Sequence, residues 1–357
     1  MAYEQELKLA LLAVARASIL TKAVFSAKQK GTISKDDASP VTIGDYGAQA
    51  LIISAVKKAF PSDEVVGEEE ASTLRTDKAL SSKIWELVKD VKLDDAASDE
   101  LLGGPLASED KMLDAIDAGN SAGGAKGRIW ALDPIDGTKG FLRGGQYAVC
   151  LALMVDGEVQ VGVLGCPNLP VDDSAPLTED MSAAEGDQEG RGVLFAAVKG
   201  EGATSQPLTR KAVGKGTPIS VSKISDVSKA VLCESVEAGH SSKGDNADIA
   251  GKLGITGKPV QMDSQAKYGS VARGAGDVYL RLPVRKDYVE KIWDHAAGEL
   301  IVREAGGEVT DVNGRRLDFS KGRTLTENKG VVAAPKDVHA EVLAAVKEVL
   351  GAKAAKV

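Results

Sequence analysis

Two carboxylates three residues apart close an apolar run, Arg128-Ile-Trp-Ala-Leu-Asp133-Pro-Ile-Asp136-Gly-Thr138. The run reads as a buried strand. Its proline restricts the backbone before it, and Gly137 allows a tight turn. Asp133 and Asp136 are thereby expected to point into one cavity from a rigid strand end. Buried together they repel each other, which is costly unless a cation compensates. Oxygen-only ligands suit a hard ion, Mg²⁺ before Zn²⁺. The plain alternative is an ordinary surface turn, since Asp, Pro and Gly are turn formers.

Three more acids stand at places where chemistry is possible. Glu68 follows the short strand Glu64-Val-Val-Gly67 and begins the run Glu68-Glu69-Glu70, which would otherwise be a solvated acidic stretch. Asp294, in Lys291-Ile-Trp293-Asp294-His-Ala-Ala-Gly298, sits at an expected helix N-terminus, where backbone N–H groups meet anions; an N-cap is the bland reading. Asp45 stands where a second helix is expected to begin, and helix capping is its ordinary role there.

The elements that must position these residues follow from periodicity and turn signals. Residues 3–29 read as an amphipathic helix, 31–44 as an exposed, mobile connector and 45–60 as a helix. Helices near 77–91 and 108–118 bracket an exposed lobe. Asp156-Gly157 joins two strands, 147–155 and 158–164, in a hairpin. Residues 171–190 are acidic and poor in apolar side chains, hence a flexible loop. A strand pair is expected at 193–198 and near 217–221. Beyond it strands (231–235, 277–282, 330–334) alternate with helices (245–253, 264–274, 294–305, 337–350), and Glu308-Val-Thr opens a hairpin at Asn313-Gly314. Such alternation predicts a layered α/β fold. The Gly- and Lys-rich stretch 210–217 marks the best boundary, dividing the chain into 1–216 and 217–357.

The chain has 357 residues, 43% apolar and 27% charged, with room for a large core. A net charge of −8 argues against a general nucleic-acid binder, which wants a basic face. It leaves room for a small anionic substrate if metal ions or local cations offset the repulsion. Cys150, Cys166 and Cys233 are widely spaced and fit reduced core thiols of a cytosolic protein. The three histidines are scattered, so no zinc site is expected. The acidic N-terminus and the absence of a long apolar run predict no signal peptide and no transmembrane span.

Taken together, Gly67-Glu68-Glu69, Asp133-Pro-Ile-Asp136-Gly-Thr138 and Trp293-Asp294-His-Ala-Ala-Gly298 resemble the signature of the lithium-sensitive, Mg²⁺-dependent phosphomonoesterases of the inositol monophosphatase and fructose-bisphosphatase superfamily. Further stretches resemble the fungal 3′(2′),5′-bisphosphate nucleotidases within it: Ser39-Pro-Val-Thr-Ile-Gly-Asp45-Tyr, Lys139-Gly-Phe-Leu-Arg143-Gly, Gly239-His240-Ser-Ser, Asp263-Ser264-Gln-Ala-Lys267-Tyr and Tyr279-Leu-Arg281-Leu-Pro.

The resemblance implies an αβαβα sandwich, with an N-terminal α+β part carrying most metal ligands and a smaller C-terminal α/β part carrying nucleotide contacts and the last ligand. Glu68, Asp133, Asp136, Asp294 and the Ile135 carbonyl would hold two or three Mg²⁺ ions. Asp45 and Thr138 would position and deprotonate the attacking water. Thr138, His240, Ser264, Lys267, Arg281 and Asp294 would touch the substrate. The implied reaction is hydrolysis of adenosine 3′,5′-bisphosphate to AMP and phosphate. Its sulfated analogue and 2′,5′ isomers are implied as further substrates, and Li⁺ and Na⁺ as inhibitors. A monomeric cytoplasmic enzyme linked to sulfate assimilation and salt tolerance is expected. The rivals are an inositol phosphate or other sugar-phosphate phosphatase, and a non-catalytic regulator on the same scaffold.

Overall fold

The computed structural model describes residues 2–29, 40–172, 177, 190–211, 213–237, 242–283, 285 and 287–354. His240, residues 30–39 of the connector and most of the 171–190 loop lie outside them.

The chain opens with two long helices packed on each other, α1 (Glu4–Gln29) and α2 (Pro40–Ala59). By length and composition α1 could cross a membrane, yet 78% of its apolar window is buried inside the fold. It is a core helix. Proline suits the first turn of a helix, where its missing N–H costs nothing, and α2 starts at Pro40 rather than at Asp45. Asp45 therefore lies in the second turn and caps nothing, contrary to the plain reading of the sequence.

Next come β1 (Glu64–Gly67) and four short helices, α3 (Ser72–Thr76), α4 (Lys78–Val88), α5 (Ala96–Leu101) and α6 (Glu109–Asp117). This segment was expected to be an exposed lobe but is anchored. Leu74, Ile84, Val88, Met112, Leu113 and Ile116 share a buried cluster with Tyr46, Ala50 and Leu51 of α2. Arg16, only 1% exposed, donates to the Gly104 and Leu51 carbonyls at 3.0 and 2.9 Å.

β2 (Arg128–Asp136), α7 (Thr138–Arg143), β3 (Ala148–Val155), β4 (Glu158–Pro170), β5 (Arg191–Val198), β6 (Gly202–Pro207) and β7 (Thr217–Ile219) follow. The first sheet runs β1-β2-β3-β4-β5-β6-β7; β1 and β2 are parallel and every later neighbour is antiparallel. Asp156 and Gly157 both have positive φ, 51° and 79°, as the tight β3–β4 hairpin requires. β5 and β7 do not pair with each other, as the sequence suggested, because β6 lies between them. Its sequence Gly-Ala-Thr-Ser-Gln-Pro holds little that favours a strand. β7 carries this sheet past the expected boundary at 216/217.

The second sheet, β11-β12-β10-β8-β9, is built from β8 (Leu232–Glu234), β9 (Val260–Gln261), β10 (Val278–Arg281), β11 (Gly307–Thr310) and β12 (Val331–Pro335). Its helices are α8 (Lys243–Lys252), α9 (Ala266–Ala272), α10 (Ala296–Glu304) and α11 (Lys336–Ala354). The partner of β11 is β12, not a strand directly after Asn313-Gly314. The buried Asp311 carboxylate collects the N–H groups of Asn313, Arg315 and Lys329, which folds the chain into a loop instead.

Side-chain alternation sorts these elements into five layers. One face of the first sheet (Trp130, Leu132, Val149, Leu151) packs on α1 and α2. The other (Ile129, Ala131, Ala148, Cys150) meets Tyr268 of α9 and Ala297 of α10, and beyond them Tyr279 and Ala333 of the second sheet. The far face of that sheet (Leu232, Leu280, Val332) is covered by Ile249 of α8 and Val342 of α11. The order is αβαβα, as expected. All three cysteines are buried and free.

Candidate metal and phosphate site

β1 and β2 run parallel with Gly67 beside Leu132, so Glu68 and Asp133 emerge next to each other at one edge of the sheet. On β3, Asp133 lies opposite Cys150 and Asp136 opposite Ala148. Three steps on one strand against two on the other is a β-bulge. Residues three apart in a regular strand face opposite ways. The extra residue cancels that, so both carboxylates share the face of Cys150 and Ala148. Pro134, which has no N–H to give, sits within the bulge, where proline is tolerated. Ile135 is there too, outside the paired register, with its side chain fully buried.

One side chain the sequence did not single out holds the first half of this edge. Gln49 of α2, fully buried, donates to the Glu69 carbonyl at 2.7 Å and accepts the Glu69 N–H at 3.0 Å, clamping the chain just after Glu68. Gly44 lets α2 come close: a Cβ there would lie 2.6 Å from Ile135 Cδ1. The next residue, Asp45, is buried near Glu68 and Glu69. Thr138 opens α7 after Gly137, whose φ is +88°, and is exposed. Among the described residues no hydrogen bond joins Asp45 to Thr138.

Asp294 ends a single 3₁₀ turn, Ile292–Asp294, just ahead of α10. Gly298 explains the end of its motif, because a Cβ there would strike the Tyr268 ring at 2.3 Å. A relay of contacts backs Asp294: Tyr268 Oη to His295 Nδ1 at 2.8 Å, His295 Nε2 to Glu290 at 3.2 Å, and Arg281 on Glu290 at 2.8 Å and on Asp294 at 3.4 Å. Glu290, Asp294 and His295 each offer a ligand atom, and these atoms lie within 4.8 Å of one another. Desolvation favours the neutral form of Glu290, but Arg281 and His295 outweigh it and hold its carboxyl down at about 2. It is already compensated.

The other acids are not. Burial, then the charges of Glu68 and Glu69, raises Asp45 well above the usual carboxylate range. Burial and the charges of Glu68, Asp136, Asp294 and Asp45 do the same to Asp133. Burial also raises Asp136, against the pull of Lys267 and the Gln265 N–H, and Asp294, against the pull of Arg281. Desolvation and Glu69 bring Glu68 to about 7 against a hydrogen bond with Asp133, although this residue is the exposed member of the set and solvent screens it.

Ser264, Lys267 and Arg281 converge on the same place. Ser264 has φ +70°, rare for serine, and a Cβ on Gly137 would lie 2.9 Å from its Cβ, so this loop rests on the Asp136-Gly137 turn. Neither Lys267 nor Arg281 is a surface cation. Lys267 is 3% exposed, donates to the Met262 carbonyl at 3.1 Å and lies over the Tyr279 ring. Burial lowers it to about 8, against Asp136 and Asp263.

The donor set fits a hard divalent cation. It consists of oxygens, and the Asp133 and Asp45 Oδ1 atoms are buried without a hydrogen-bond partner. Residues 2–350 match the model of the inositol monophosphatase family. The chain is 67% identical over 350 residues to a 3′(2′),5′-bisphosphate nucleotidase of Emericella nidulans, covering 98% of this chain and 99% of that protein. It is 47% identical over 350 residues to one of Schizosaccharomyces pombe (97% and 96%), and 44% identical over 354 residues to one of Oryza sativa (98% and 95%). Among solved structures it is similar in fold to an inositol monophosphatase from Zymomonas mobilis (TM-score 0.58, 19% identity, 97% of this chain and 99% of that one). A Thermotoga maritima inositol monophosphatase is comparable (TM-score 0.56, 19% identity, 97% and 98%). With the fold, the clustered acids and near full-length similarity in agreement, the chain belongs to the inositol monophosphatase family, a metal-dependent family that typically uses Mg²⁺.

Proposed function

We propose that this chain hydrolyses the 3′-phosphate of adenosine 3′,5′-bisphosphate to AMP and phosphate, with Mg²⁺ held by Glu68, Asp133, Asp136, Asp294 and the Ile135 carbonyl. The observation that carries the substrate is its near full-length similarity to proteins named 3′(2′),5′-bisphosphate nucleotidase, at 67% and 47% identity. What a divalent ion supplies at such a site is charge stabilisation of phosphoryl oxygens and a more acidic bound water.

The chain's own residues do the rest. Asp45, buried and with an unpartnered oxygen, takes the proton of the attacking water by way of the Thr138 hydroxyl. The water oxygen bonds to phosphorus, the bond to the 3′-oxygen breaks with its electron pair remaining on that oxygen, and the 3′-oxygen takes up a proton from solvent water. Lys267 and Arg281 place positive charge behind Asp136 and Asp294, where it favours a second anionic group on the substrate. Ser264 and His240 complete the nucleotide contacts in this reading. The sulfated analogue and 2′,5′ isomers as substrates, inhibition by Li⁺ and Na⁺, a monomeric cytoplasmic protein, and a part in sulfate assimilation and salt tolerance belong to the same proposal.

Phosphate release tests it. The bisphosphate nucleotide, inositol 1-phosphate and fructose 1,6-bisphosphate are each supplied with and without Mg²⁺. Release from the nucleotide alone, and only with Mg²⁺, is expected. Release confined to inositol 1-phosphate would overturn the substrate, and no release from any would favour a non-catalytic regulator.

A further inference from the structure

Asp294 reaches the site from a part of the chain remote from Glu68, Asp133 and Asp136, and something must fix its distance to them. Two residues given no role by the sequence reading, Gln265 and Arg323, converge on the segment that carries it. Gln265, 2% exposed, donates from Nε2 to the Trp293 carbonyl at 2.7 Å and accepts the Gly298 N–H at 2.9 Å, so one amide grips the chain on both sides of Asp294. Its own backbone N–H donates to Asp136 Oδ2 at 2.5 Å. The positive φ of Ser264 just before it is part of how the N–H comes to face Asp136.

Arg323 acts from the other side. Its Nη2 donates to the Gly67 carbonyl, the residue before Glu68, at 2.6 Å, and its Nη1 donates to the Ser121 carbonyl at 2.9 Å. Its guanidinium lies 4.9 Å from the centre of the Trp293 ring, the residue before Asp294. Its carbonyl accepts the Ile292 N–H at 3.2 Å, and Lys291 bridges Thr324 in antiparallel fashion.

We infer that Gln265 and Arg323 are positioning residues that together brace the Trp293-Asp294 turn. Gln265 sets Asp294 against Asp136, and Arg323 sets it against Glu68. Neither touches a reacting atom; their effect is on the spacing of carboxylates, and so on the affinity for a divalent cation. The inference rests on the reading of Glu68, Asp136 and Asp294 as metal ligands.

The test is calorimetric titration of the EDTA-stripped protein with Mg²⁺, beside thermal melting of the stripped protein. The variants are Gln265→Met and Arg323→Met, with Gln265→Asn and Arg323→Lys as milder versions should the first pair not fold. Loss of such outer partners typically weakens metal affinity about 10–100-fold, and a loss in that range is expected from each, measured where circular dichroism shows the variant folded. Both act on one turn, so the double variant is expected to lose less than the product of the single losses. Arg323→Lys is expected to recover part of the affinity lost in Arg323→Met. Wild-type Mg²⁺ affinity in the folded variants, even with a lowered melting temperature, would reduce both residues to structural props and overturn the inference. Asp136→Asn separates the two levels. If it weakens Mg²⁺ binding while the brace variants do not, the brace alone fails; if it leaves binding unchanged, the ligand reading and the brace fall together.

Discussion

A buried carboxylate oxygen bonded to nothing is rare in folded proteins, and Asp45 and Asp133 each carry one. For Asp133 the neighbouring acids account for it, as the most crowded member of the proposed metal-binding set. For Asp45 the reading is a proton acceptor. Asp45→Asn keeps the shape and removes the basicity, so turnover of the bisphosphate nucleotide is expected to fall roughly 10²–10⁴-fold. Mg²⁺ affinity by calorimetry should change little by comparison; near wild-type turnover with metal still bound would remove Asp45 from the reaction. The acids themselves were legible in the sequence because each ends an apolar run or opens a turn. Their supports were not. Gln49, Glu290 and Arg323 lie in stretches with no motif, Gln265 lies inside one without marking itself as a support, and long-range contacts such as Arg281 on Glu290 and Asp294 leave no periodic trace.

At the level of elements, the decisive object is the end of β2, where a one-residue bulge turns Asp136 onto the face of Asp133. The sequence announced it through Pro134 and Gly137, which are meaningful only in a bent strand end. Gly137 is constrained twice, by a φ of +88° and by Ser264 within 2.9 Å of where its Cβ would stand. Gly137→Ala is therefore expected to cost roughly 1–3 kcal/mol of stability, read from denaturant unfolding. It should also raise KM more than it lowers Mg²⁺ affinity, because it displaces the 263–267 loop first. Elements with strong patterns, such as β2, the β3–β4 hairpin and the closing helix α11, were readable. Those that fold by long-range pairing were not: β6 and the two-residue β9 carry too little pattern, and β12 joins β11 across a loop organised by Asp311. The start of α2 was misplaced because a proline reads as a breaker when its place in the first turn is unknown.

For the molecule as a whole, the acids make stability depend on pH and metal together. A carboxyl whose folded pKa is raised holds its proton in the native state after the unfolded chain has released it. Stability from that group is present below the ordinary carboxylate range and falls as pH rises through the folded value. Burial raises Asp136, and burial with repulsion from neighbouring acids raises Asp45, Asp133, Asp294 and Glu68, the last to about 7. Their joint contribution in EDTA should therefore decline as pH rises above the ordinary carboxylate range, with the share of Glu68 lost by about pH 7. Mg²⁺ should raise the melting temperature more at pH 7.5 than at pH 5.5; an equal rise at both would mean the cation does not bind these acids. The same arrangement bears on the birth of the protein. From β2 to β7 each strand of the first sheet pairs with its successor, an order that can assemble early, while the turn at 294 and the arginine at 323 arrive long after. A chain still on the ribosome thus carries Glu68, Asp133 and Asp136 without their last partner, a half-made nest of like charges. If these acids hold the ion as proposed, it is captured only once the turn at 294 is in place, and phosphatase chemistry waits for the finished fold.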